Sequence, residues 1–142
     1  MKKYSDNDIE SFINFLDFTK IEGELIPVVA QDYKSNVILI LAFANKEAVR
    51  RSLKTGSLHY YSRSRKKIWK KGEESGHFQK IKEILTDCDK DSILFKVKQR
   101  GGACHLGYYS CFFNKFEDGK LKIIGNKVFE PDRVYKSQTS ND

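Results

Sequence analysis

From residue 57 to residue 129 the chain is a succession of short strand-like runs, and this constrains its fold more than any other feature. The runs cover 58–62, 67–70, 78–87, 92–99, 107–115 and 120–129, with Asp118-Gly119 as a hairpin turn between the last two. Upstream, Leu25–Gln31 and Asn36–Phe43 are rich in β-branched and aliphatic residues and read as paired strands joined near Lys34-Ser35. Two helices precede the β-rich part. Ser5 is an N-cap with Asp8 three residues on, and Ile9, Phe12, Ile13 and Leu16 keep helical spacing, so 6–18 reads as one amphipathic helix. Asn45 caps a second over Lys46–Lys54, and Gly56 ends it. The expected class is α+β, predominantly β: a compact single domain over 1–142 with two short helices near its N-terminus. The polar tail 137–142 is expected to fray.

The chain's 142 residues suit one core, and 39% hydrophobic with 13% aromatic content excludes chain-wide disorder. The longest apolar run, Val37–Ala44, is too short for the roughly 18 residues of a membrane span. Met1-Lys2-Lys3 is followed by Tyr4-Ser5-Asp6-Asn7-Asp8 rather than an apolar stretch, so no export signal is read. A soluble, cytoplasmic protein is expected. Its formal net charge of +7 points to an anionic partner: nucleic acid, phosphorylated metabolite or membrane surface. Charge alone does not choose among them.

Four stretches could carry chemistry. All three cysteines, Cys88, Cys104 and Cys111, fall within one short span. In a reducing compartment they read as buried thiols, a nucleophile or metal ligands; three thiolates with one open position would suit a catalytic Zn²⁺. Spacing alone leaves all three readings open. Around the first lies Asp87-Cys88-Asp89-Lys90-Asp91. If extended, it turns three carboxylates to one face, an oxygen-only arrangement that suits Mg²⁺. The competing reading is an acidic turn at Asp89-Lys90. An EF-hand loop fails, because Ser92 and Lys98 stand where Gly and Glu are required.

The third stretch, Arg63–Lys71, holds six basic residues in nine, interleaved with Trp69 and preceded by Tyr60 and Tyr61. Arg63, Arg65 and Lys70, with Ser75 in the following loop, could bind phosphate; the same composition could stack and bind RNA. A solvated basic hairpin is the plain alternative. The fourth is Gly101-Gly-Ala-Cys-His-Leu-Gly107, whose small residues permit close approach and whose His105 could move a proton. His59 and His77 have weaker claims.

Taken in order, His59-Tyr-Tyr-Ser-Arg-Ser-Arg65, Trp69-Lys-Lys-Gly-Glu-Glu-Ser-Gly76, Asp87–Asp91 and Gly101-Gly-Ala-Cys-His-Leu-Gly-Tyr-Tyr-Ser-Cys-Phe112 resemble phosphoribosyl-AMP cyclohydrolases, the third-step enzymes of histidine biosynthesis. The resemblance runs from about Leu25 to Phe113. It implies a compact β-rich fold, a homodimer with two active sites, and a zinc ion held by Cys88, Cys104 and Cys111 across the dimer interface. It also implies a magnesium site at Asp87, Asp89 and Asp91. Many relatives carry a second, helical pyrophosphohydrolase domain, for which the chain is expected to be too short, leaving the upstream step to another protein.

On this resemblance the expected reaction is hydrolytic opening of the adenine ring of phosphoribosyl-AMP at N1–C6 by a zinc-activated water, with His105 moving the proton. The deaminase signature H-x-E with P-C-x-x-C is absent, against simple deamination. Arg63, Arg65, Trp69, Lys70 and Ser75 are the candidate substrate and phosphate contacts. The chain departs from the family in two places: Leu106 stands where Thr is usual and Tyr61 where Trp is common. The stretch after Asn114 does not align. Two other classes stay open, a non-catalytic basic-aromatic RNA-binding module and a redox-sensing thiol protein; no nucleic acid or membrane partner is expected on the enzyme reading.

Overall fold

The computed structural model describes residues 4–134. The expected frayed tail, 137–142, lies outside the described residues.

Helix α1 (Asp6–Phe15) starts at a capping box: the Asp8 amide donates to Ser5 Oγ, and the Ser5 amide to the Asp8 carboxylate. It ends three residues earlier than the periodicity suggests. Leu16 is already extended, and Asp17 donates its amide to the Lys90 carbonyl instead of continuing the helix. Strand β1 (Ile26–Asp32) follows and pairs antiparallel with β2 (Ile38–Ala44). Helix α2 (Lys46–Thr55) has Asn45 Oδ1 accepting from the Ala48 amide, and Gly56 ends it in the left-handed conformation. Arg50 of α2 binds Glu10 of α1 through two nitrogens, at 2.7 and 2.9 Å, and also Glu47 at 2.6 Å, so one guanidinium ties the helices together.

The remaining strands are β3 (His59–Ser62), β4 (Lys67–Lys70), β5 (Gln79–Thr86), β6 (Ile93–Gln99), β7 (Asn114–Glu117) and β8 (Lys120–Ile123). The main sheet has the order β2-β1-β6-β5, antiparallel except for the β1–β6 pair. β3–β4 and β7–β8 are separate hairpins, the second turning at Asp118-Gly119 as expected. Alternation along β1 and β6 buries Ile26, Val28, Ala30, Ile93, Phe95 and Val97. That face joins Ile9 and Ile13 of α1, Ala48, Val49 and Leu53 of α2, and Leu58 and Tyr60 in one core. The opposite face is less covered. Leu85, Leu94, Val29 and Leu41 stand in register across all four strands there, with Leu85 and Leu41 exposed.

The fold is thus α+β and mostly sheet, with three corrections. A third, four-residue helix, Pro131–Val134, was not foreseen. The expected strand 107–115 contracts to β7, because residues 108–111 fold back on the preceding loop and on the free edge of β2: Ala103 and Cys104 donate amides to Tyr109 and Tyr108, and Cys111 to Leu39. The expected strand 120–129 stops at Ile123; Val128 and Phe129 instead bond the Gly107 carbonyl. No described helix is long and apolar enough to cross a membrane.

Candidate active site

The loop after β6 carries Cys104 and Cys111. Gly101 enters it with φ +66°, and a Cβ there would lie 2.4 Å from the His77 ring. Only glycine permits this approach. The hydrogen bonds to Tyr108, Tyr109 and Leu39 then close the loop. Cys104 ends 4% exposed, hydrogen-bonded to half-buried Cys111. Burial, reinforced by Cys104, pushes the Cys111 thiol up to about 12 in the absence of metal. The small residues around the Cys-His pair therefore do allow close packing, of the chain against itself.

Beside the thiols sits Lys71, only 6% exposed. Burial lowers its pKa, and the nearby Cys111 and Cys104 oppose that shift. Among the described residues no carboxylate lies within ion-pair distance of it. Tyr60, fully buried, has its phenol pushed up by burial and then by Cys111; its hydroxyl donates to Gln79. His77 packs edge-on against Phe129 at 4.5 Å, and its ring is held by the Gly102 backbone while buried Nδ1 has no partner. Burial, then the Lys71 charge, lowers its pKa. Asp32 anchors the site from behind. Its carboxylate accepts from the Ser35 amide and hydroxyl, the Lys34 amide and the Tyr109 hydroxyl, and these bonds outweigh burial to lower its pKa. Tyr109 rises to about 12 by burial and by Asp32.

His105 follows Cys104 on an exposed turn closed by the Gly107 amide, next to exposed Leu106. It is adjacent to the thiol pair in sequence, but it faces solvent.

Cys88 stands apart. It is exposed on the turn from β5 to β6, whereas Cys111 docks on the free edge of β2 at the other side of the sheet. Three strand spacings, about 14 Å, separate those edges. Among the described residues no three of His, Cys, Asp and Glu gather closely enough to hold a metal. Asp87, Asp89 and Asp91 follow the competing reading, an acidic turn, rather than an extended segment presenting them on one face. They lie on a turn with Lys90 at φ +64°, where Asp87 accepts from the Asp91 amide at 3.0 Å. Ser92, followed by Asp91, holds the Asp87 carboxyl down to about 2, so it is ionised at neutral pH. Asp89 is exposed, and Asp91 pairs with Lys20 at 3.1 Å.

The basic segment is the β3–β4 hairpin. Arg63 and Arg65 are exposed on its turn, Arg63 lying 4.0 Å from the Phe43 ring centroid. Trp69 packs against Tyr60 at 5.2 Å. Lys70 lies over Phe78, and Ser75 Oγ accepts from the His77 amide. In the sequence, His77 carries only a weaker claim, Tyr60 reads as an aromatic beside the basic segment, and Lys71 and Asp32 are not singled out as site residues. Lys71 is indistinguishable there from five neighbouring basic residues, since its burial comes from a loop thirty residues downstream.

The donor set suits the implied metals unevenly. Two adjacent thiols, one buried and one half-buried, are a soft pair of the kind zinc takes, lacking a third ligand among the described residues. Asp87 and Asp89 are ample for Mg²⁺, which keeps several waters and binds through one or two carboxylates.

A family model described as phosphoribosyl-AMP cyclohydrolase matches residues 40–113, the stretch that holds the basic hairpin, the acidic turn and the thiol loop. The phosphoribosyl-AMP cyclohydrolase of Methanoregula boonei is 59% identical over 80% of this chain and 90% of its own length. This chain belongs to the phosphoribosyl-AMP cyclohydrolase family. The relative named phosphoribosyl-AMP cyclohydrolase in Methanothrix thermoacetophila is 56% identical over 81% of this chain and 93% of its own length. The histidine biosynthesis bifunctional protein HisIE of Thermoanaerobacter pseudethanolicus is 50% identical over 82% of this chain but only 54% of its own. Against this cyclohydrolase family, the thiol loop and the acidic turn fall inside the matched model, whereas β7 and β8 lie beyond it.

Proposed function

We propose that this cyclohydrolase-family chain opens the adenine ring of phosphoribosyl-AMP by hydrolysis, in the cytoplasm and in histidine biosynthesis. The centre is a zinc site formed by Cys104 and Cys111 of one copy and Cys88 of a second. The observation that carries the reading is the hydrogen-bonded pair of buried Cys104 and half-buried Cys111 in a chain of this family. Zinc, when bound, supplies the Lewis acidity that brings a water's pKa toward neutrality.

The chain's own residues do the rest. Cys104, buried, and Cys111, half-buried, would hold the metal. Water's oxygen bonds to C6 and the N1–C6 bond breaks, leaving a carboxamide at C6. The proton released by that water reaches N1 through His105, whose solvent-facing ring can exchange it. Arg63, Arg65, Lys70 and Ser75 bind the two phosphates and Trp69 flanks the substrate, which accounts for the net charge of +7. Asp87, Asp89 and Asp91 would hold Mg²⁺, whose charge would supply a partner for a phosphate or ribose hydroxyl.

Two placements support a shared site. Cys88 lies on the turn between β5 and β6 and Cys111 on the free edge of β2, and the Leu85–Leu94–Val29–Leu41 row leaves an apolar face for a second copy to cover. The purified protein, given phosphoribosyl-AMP and followed by ultraviolet absorbance, is expected to open the ring, and a zinc chelator is expected to stop it. Turnover that survives complete zinc removal overturns the metal assignment; no turnover with both metals bound overturns the reaction.

A further inference from the structure

We propose that Lys71 is a positioning residue of the thiol site, supplying the buried counter-charge that a metal-loaded Cys104–Cys111 pair requires. The inference rests on the zinc reading above and deepens it.

Lys71 is placed rigidly. Its amide donates to the Leu58 carbonyl at 3.0 Å, and the next residue, Gly72 at φ +87°, is packed so closely that a Cβ would lie 2.6 Å from the His77 carbonyl carbon. Basic side chains ordinarily lead their charge out to water. The other five of the 63–71 segment are exposed or half-buried, whereas Lys71 is held inside at 6% exposure. Among the described residues it has no carboxylate partner, and the groups it faces are the two thiols and His77. An ammonium buried without a counter-ion is strongly unfavourable.

Three thiolates on a divalent metal leave one net negative charge. Beside Lys71 that charge would be neutralised; without the metal it is absent, and the buried ammonium has no carboxylate partner among the described residues. The same side chain therefore strains the metal-free fold and stabilises the loaded one. A role in packing alone makes no such distinction.

Lys71→Met keeps the length of the side chain and removes its charge. Zinc affinity, measured by competition with a chromophoric chelator, is expected to fall about 10–100-fold, the usual range for a group supporting metal ligands. Metal-free K71M is expected to melt at or above the wild-type temperature, and zinc-loaded K71M below it. K71Q, uncharged but polar, is expected to repeat the loss and serves if K71M does not fold. Wild-type zinc affinity in either folded variant, or an equal fall in Tm with and without zinc, overturns the role of Lys71 and leaves the zinc reading intact. A wild-type chain that binds no zinc overturns both.

Discussion

At the scale of single residues, burial decides which polar groups carry consequences. Asp32 and Asp91 are both aspartates at the ends of strands or turns, yet Asp32 is enclosed and collects four hydrogen bonds, while Asp91 meets Lys20 near the surface. Hydrogen bonds to a charged acceptor contribute about 1.5–3 kcal/mol. Asp32→Asn is therefore expected to destabilise the chain by about 2 kcal/mol at neutral pH. The pH dependence follows in sign. Because the folded pKa is lowered, the Asp32 contribution is complete above the unfolded value, about 3.9, and is lost as pH falls through the folded value. Urea melts from pH 7 downward are expected to show the two proteins converging below about pH 4; a constant gap would remove Asp32 as the source. None of this was legible in the sequence, where Asp32 closes an ordinary strand. Its carboxylate matters because Tyr109, far along the chain, donates to it.

At the scale of elements, local signals read well where the chain answers only to its neighbours in sequence. Asn45 and Gly56 bound α2, and Asp118-Gly119 turns the last hairpin, because caps and turns satisfy their own backbone groups. At Asp87–Asp91 the sequence left an extended segment and an acidic turn both open, and at 107–113 the reading failed. The first is a turn rather than a strand, and the second is held by amides donated to Leu39 and received from Ala103, neither visible in a local window. The thiol loop depends on its close approaches. Gly101→Ala would place a methyl against the His77 ring in a left-handed backbone, where a Cβ costs roughly 1–2 kcal/mol before any clash. The expected outcome is a loss of about 2–4 kcal/mol in denaturant melts and weaker zinc retention; an unchanged melt would mean that His77 yields freely.

At the scale of the whole molecule, the sheet order decides what one chain can assemble. Cys88 lies on the turn between β5 and β6 and Cys111 on the free edge of β2, so the three-cysteine centre proposed above would draw on two chains. Co-expressed Cys88→Ser and Cys104→Ser chains test this. Each variant alone is expected to be inactive, but mixed dimers contain one intact centre and are expected to recover zinc and turnover. No recovery in a proven mixed dimer would place all three ligands within one chain. The sequence by itself determined the residue types and their local setting: an α+β class, two capped helices, three thiols, and motifs specific enough to indicate the family. Those are properties of composition, period and spacing, which short-range physics dictates. Only the tertiary structure decided that Cys104 and Cys111 meet while Cys88 stands apart, that Lys71 alone of six basic neighbours is buried, and that an apolar row crosses the outer sheet face. Each depends on strand order and on a loop closing over residues distant in sequence, and no local pattern encodes such closure.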